Sequence, residues 1–167
     1  MQISQLTTYN LPRTANAPVA GKSAPPVQEE PADRIEAFYT GAANTAKWMS
    51  RIDGAVLGGV IGLAVGATVG AAVFGAGGTG MGSFLIASGL AVGGGAGGYT
   101  AFDRLSAFGG KIGRGLDEGN DLRGEALGRV GVNMGLSLLA GNWRAVALNA
   151  AIPLVGGAVN YALAGDR

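Results

Sequence analysis

GAVLGGVIGLAVGATVGAAVFG (residues 54–75), the linker AGGTGMG (76–82) and SFLIASGLAVGGGAGGYTAF (83–102) together decide the architecture. From Gly54 to Phe102 there is no Asp, Glu, Lys or Arg. As a helix the first part is about 33 Å long, the thickness of a bilayer's hydrocarbon core, and the third is only slightly shorter. Joined by a short flexible linker, they predict a membrane hairpin over residues 54–102. The return segment is the weaker half. In GGGAGG, Gly93 to Gly98, each glycine costs up to about 1 kcal/mol relative to alanine in a helix, which predicts a kink or a re-entrant stretch there.

Within the first span Gly54, Gly58, Gly62, Gly66 and Gly70 recur every four residues. On a helix they form one ridge without side chains. Lipid supplies little hydrophobic force between helices, so association depends on close backbone approach, which such a ridge permits. Ala55, Gly59, Leu63, Ala67 and Ala71 widen the smooth side, while Leu57, Ile61, Val65, Val69 and Val73 form a bulky face suited to lipid or to a neighbour's groove. The second span carries a shorter ridge in Gly89, Gly93 and Gly97, with Gly94 and Gly98 one step round. These eight in-register glycines, Gly54 to Gly70 and Gly89 to Gly97, are the candidate helix-packing residues.

In this respect the segment resembles the glycine-zipper class of membrane proteins, which includes mechanosensitive channels, certain bacterial pore-forming toxins and small two-helix bacterial envelope proteins. The resemblance rests on the GxxxGxxxG motif over residues 54–102 alone. It implies close helix packing at Gly54, Gly58, Gly62, Gly66 and Gly70 and, by extension, self-assembly. Two departures are visible: the chain has no lipoprotein cysteine, and its spans have no charged face to line a wide aqueous pore.

Outside the hairpin, residues 1–32 hold five of the prolines among Ser, Thr, Asn and Gln and read as a disordered, polyproline-like segment. They show no basic stretch followed by an apolar one, so no conventional cleaved signal is expected, and secretion would need a non-classical route. Residues 33–52 place Ile35, Phe38, Tyr39, Ala42, Ala46, Met49 and Ile52 at helical spacing, which predicts an amphipathic helix with Asp33 as its cap. That helix either docks on the protein or lies in the lipid interface. Trp48, Tyr99 and Phe102, with Lys47, Arg51 and Arg104, flank the spans as membrane-interface candidates. Because the linker is uncharged and both outer flanks are basic, both are expected in the cytoplasm.

Residues 103–120, with Lys111, Arg114, Asp117 and Glu118, read as a polar glycine-rich loop. Residues 121–165 read as a C-terminal apolar helix pair, about 121 to 140 and 143 to 164, broken at Gly141 and Asn142 and interrupted by Pro153, which should kink the second helix. The residues leave open whether this pair spans, dips into the membrane or packs on the hairpin. Arg144, alone in its apolar stretch, is expected to snorkel to the interface.

The expected fold class is therefore all-α, with the membrane-inserting hairpin at its centre. Glycine contributes 32 of the 167 residues and aromatics only 7%, which leaves little large apolar surface for a water-soluble core. A net charge of +1 argues against nucleic-acid binding. Absence of Cys and His removes thiol and imidazole catalysis and the usual zinc sites. Asp117, Glu118 and Asp121 lie among arginines and are expected to be a solvated loop rather than a metal site. No enzyme activity, cofactor or small-molecule substrate is expected. The lipid bilayer and further copies of the chain are the expected partners. Permeabilisation or remodelling of a membrane is the leading expectation, beside a structural scaffold or viral or secretion-machine component without pore activity, and a secreted soluble protein that inserts only at its target. The mean hydropathy of +0.30 suits the last.

Overall fold

A computed structural model describes residues 31–75 and 80–165, so the proline-rich segment lies outside the described residues apart from its last two. The described chain is all-helical: α1 Pro31–Phe74, α2 Met81–Leu116, α3 Asp121–Leu139 and α4 Trp143–Ala164.

Three expectations are corrected here. The amphipathic segment and the first span are one helix, α1, with no break at Asp53. A lone glycine costs a helix only about 1 kcal/mol, and at Gly54 the missing side chain admits the carbonyl of Gly98. The Gly93 to Gly98 stretch is uninterrupted helix within α2, because Gly94 and Gly98 are held against α1. Residues 103–116 continue α2, and the loop shrinks to Asp117–Asn120. Gly109 and Gly113 survive inside this helix because their bare backbones meet Gly128 and Gly124 of α3.

Local chemistry ends each helix. Gly75, at φ 84°, closes α1 in the left-handed conformation that favours glycine. The Asn120 side chain accepts from the Arg123 amide (2.9 Å) and caps α3, and Asn142 accepts from Ala145 (3.1 Å) and caps α4. Between α3 and α4, Gly141 at φ 68° reverses the chain. There the Asn142 amide donates to Ser137 O (3.0 Å) and that of Gly141 to Leu138 O (2.9 Å), a Schellman ending.

The helices alternate up and down. α1 touches all three others, whereas α2 and α4 do not touch each other. Gly54 lies against Gly98, Gly113 against Gly124, Ala46 against Asn133, Asn149 against Asp53, and Gly157 against Phe38. These contacts place α3 and α4 beside the lower half of the α1 and α2 pair. The upper half, from about Ile61 to Leu90, projects as a two-helix arm.

The interior is small and polar rather than large and apolar. Its apolar members are Ala42, Ala43, Ala46 and Ala126, while the largest fully buried side chains are Asn149, Pro153, Ser50 and Ser106. Large apolar groups face outward: Val65 is 50% exposed, Phe84 65% and Val92 74%. This arrangement inverts the distribution of a water-soluble core.

Candidate membrane hairpin and its polar base

The arm of the hairpin is held backbone to backbone. A methyl group added at Gly58 would collide with the Gly94 carbonyl oxygen, and one at Gly62 with that of Leu90. At Gly66 it would sit 2.5 Å from the Ala87 Cα, and at Gly70 3.1 Å from the Ser83 Cα. The seam therefore loosens toward the tip, where the Phe74 ring covers Gly82.

All five glycines of the first ridge lie in this seam. Those of the second do not: Gly89, Gly93 and Gly97 are exposed with nothing against them. Their place is taken by Ser83, Ala87, Leu90, Gly94 and Gly98. Counting glycines alone misplaces the face, because a seam needs small residues of any kind at helical spacing. Ser83 and Ala87 lead into Gly94 and Gly98 along one side of α2, and that row was the available signal.

Below the arm the interface candidates gather around one ion pair. Arg51 Nε and Nη2 donate to the two oxygens of Asp103 at 3.0 and 3.2 Å, joining α1 to α2 at the first charged level under the uncharged run. The same guanidinium lies 5.6 Å from the Trp48 ring centre and 5.3 Å from that of Tyr99, a cation–π geometry. Phe102 is half-buried beside Gly54, Lys47 is half-buried, and Arg104 is exposed. Asp103, which completes the pair, was legible only as the end of the uncharged run.

A second polar group ties down the C-terminal helices. The Asn149 amide donates to Asp53 and, at 3.1 Å, to Ser137 Oγ, while that of Asn133 donates to Ala46 O at 2.7 Å. In the sequence Asn149 stands alone as a polar residue between Leu148 and Ala150. A buried amide needs partners, and that need was the signal. Two further small-residue seams also went unread: Gly109 and Gly113 with Gly124 and Gly128 between α2 and α3, and Gly41 with Gly156 between α1 and α4.

Three helices, α1, α2 and α4, are long and apolar enough to cross a membrane, but they do not lie at one level. Asn149 stands beside Asp53 and Gly165 beside Arg34, so some 24 Å of α4 runs alongside the charged half of α1. A bilayer drawn around the arm takes in only the first turns of α4. Arg144 is exposed in that region.

Of the acidic residues at the α2–α3 loop, Asp117 makes an ion pair. Arg123 donates to both oxygens of Asp117 at 2.6 and 2.8 Å, and this bonded guanidinium holds the Asp117 carboxyl below its ordinary range. Glu118 and Asp121 are exposed, and no group of three or more metal-ligating side chains occurs among the described residues. No protein-family profile, no curated protein and no solved structure matches this chain.

Proposed function

We propose that the chain is a non-enzymatic membrane protein, anchored by the 54–102 hairpin, whose self-association remodels or permeabilises the bilayer. One observation carries this: the arm buries bare backbone and presents Ile61, Val65, Val73, Phe84 and Val92 outward, the reverse of what water requires and what lipid accepts. The ridge Gly54 to Gly70 is occupied inside the hairpin, so self-association falls to the outward ridge of Gly89, Gly93 and Gly97. The polar base, with Lys47, Arg51 and Arg104, then sits at the headgroups, and the basic flanks place it in the cytoplasm.

Reconstituted chain tests this by crosslinking and by dye release from liposomes. Gly93→Leu is expected to remain in the membrane, to lose crosslinked oligomers and to lose dye release in parallel. Oligomers and release that both persist in Gly93→Leu remove self-association through this ridge.

A specific observation favours a second reading, a scaffold that oligomerises without conducting. The hydroxyls of Thr68 and Thr100 bond back to their own helix at Ala64 O and Gly97 O, both at 2.9 Å, which withdraws both from any polar row along the described part of the arm. Oligomers without dye release select that reading.

A further inference from the structure

A cleft of about 280 Å³ opens between α1, α3 and α4, with Phe102 of α2 also lining it, at the level where the uncharged run begins. Its walls are Val56 and Val60 of α1 and Leu136 and Ala140 of α3, and its polar groups include Asp53 and Asn142. No lysine or arginine lines it. Asp53 makes no ion pair among the described residues, and its one side-chain hydrogen bond there comes from the neutral amide of Asn149. The neighbouring Arg51 is committed to Asp103. A half-buried carboxylate whose side-chain partner is a neutral amide attracts a cation that enters beside it.

The cleft is also directional. From Asp53, the walls at Val56 and Val60 run along one face of α1 toward the arm. An occupant therefore needs a cationic head at Asp53 and an apolar tail pointing to the bilayer centre. We propose that this cleft holds an ethanolamine phospholipid of the surrounding leaflet, with its ammonium donating to Asp53 and an acyl chain lying along Val56, Val60, Leu136 and Ala140. The proposal rests on the hairpin being inserted in a bilayer, as inferred above. A primary ammonium is specified because it donates hydrogen bonds to a carboxylate, which strengthens the contact beyond charge alone.

Trp143, which follows the lining residue Asn142 in the chain and is exposed, reports occupancy. In full-length chain carrying Trp48→Phe, reconstituted into phosphatidylglycerol vesicles, brominated phosphatidylethanolamine is compared with brominated phosphatidylglycerol at equal mole fraction. Quenching of Trp143 is expected to be about threefold stronger with the ethanolamine lipid, the ratio of a partly exposed ion pair. Asp53→Asn removes the excess. Ala145→Phe, which fills the cleft and leaves Asp53 in place, removes it as well and decides the matter if Asp53→Asn does not fold.

Equal quenching by both lipids in the Trp48→Phe chain overturns the site while leaving the hairpin in the membrane. Excess quenching that persists in both Asp53→Asn and Ala145→Phe places the lipid elsewhere on the chain and overturns the site. Absence of quenching by either lipid overturns the membrane reading and the site together.

Discussion

The arm and the base of this molecule use the same packing device and differ in everything around it. In the arm, Gly58 and Gly62 meet Gly94 and Leu90 with no charged side chain in reach. In the base, Gly109 and Gly113 meet Gly128 and Gly124, but ion pairs such as Arg51 with Asp103 and Arg129 with Glu125 surround them, and Asn133 and Asn149 are buried among the helices. Close backbone approach thus serves both halves. What separates them is whether polar side chains accompany it.

The largest effect is expected from breaking the arm's seam. Gly58→Leu with Gly62→Leu drives two branched side chains into the backbone of α2, at a cost of several kcal/mol, about 1 to 3 each. The chain lacks cysteine, so Gly59→Cys with Ala91→Cys gives a clean crosslink across the seam. A side chain at Gly59 would sit 3.6 Å from Ala91 O, an ordinary contact. The crosslink is expected to form in the otherwise native chain and to vanish in the leucine pair, while both stay in the membrane fraction. A crosslink that survives the leucines would show that α1 and α2 do not meet on these glycines.

Similar exposure with unequal response is the next test. Val65 in the arm is 50% exposed and Leu127 in the base 62%. Val65→Arg is expected to lose carbonate-resistant membrane association, since arginine at mid-bilayer costs at least about 2.5 to 3.5 kcal/mol. Leu127→Arg is expected to leave it unchanged. The same loss in both variants would erase the division between arm and base.

A smaller effect is expected at the base itself. Asn149→Ala deprives Asp53 and Ser137 of their donor, which costs about 1 to 3 kcal/mol, and should expose α4 to limited proteolysis while the arm's crosslink persists. Proteolysis unchanged from the native chain would mean that the glycine contacts at Gly41 and Gly156 hold α4 unaided.

The smallest effect lies at the exposed Asp117–Arg123 pair. Its folded-state carboxyl is held below the ordinary value of 3.8 by the Arg123 hydrogen bonds. Its contribution is therefore full above that value and disappears as pH falls through the lower folded value. The thermal midpoint of Asp117→Asn should accordingly fall less than that of the native chain on acidification below 3.8. Identical acid profiles for the two chains would show the pair to be idle.

Much of the architecture was legible in the residues. The uncharged stretch from Gly54 to Phe102 and the small-residue composition exclude an ordinary apolar core, and 3.6-residue periodicity yields an all-α chain because it is a local property of each segment. Helix ends were partly legible too. Gly141 with Asn142 marks the α3–α4 turn, whereas the glycines of residues 103–116 suggested a loop because glycine alone does not distinguish a break from a contact.

What only the tertiary structure decided is how these helices meet. A ridge of glycines states that a close neighbour is tolerated, not which neighbour, so the choice of Gly94 and Gly98 over Gly93 and Gly97 awaited the fit of α2 on α1. Asn149 likewise shows that an amide must be satisfied without naming Asp53, which lies 96 residues away in the chain. The level of α4, beside the charged half of α1 and not beside the arm, follows from that bond and from Gly156 and Gly157 against Thr45 and Phe38. Periodicity and charge are written into each segment, while the pairing of faces is a property of two surfaces at once and exists only when both are present.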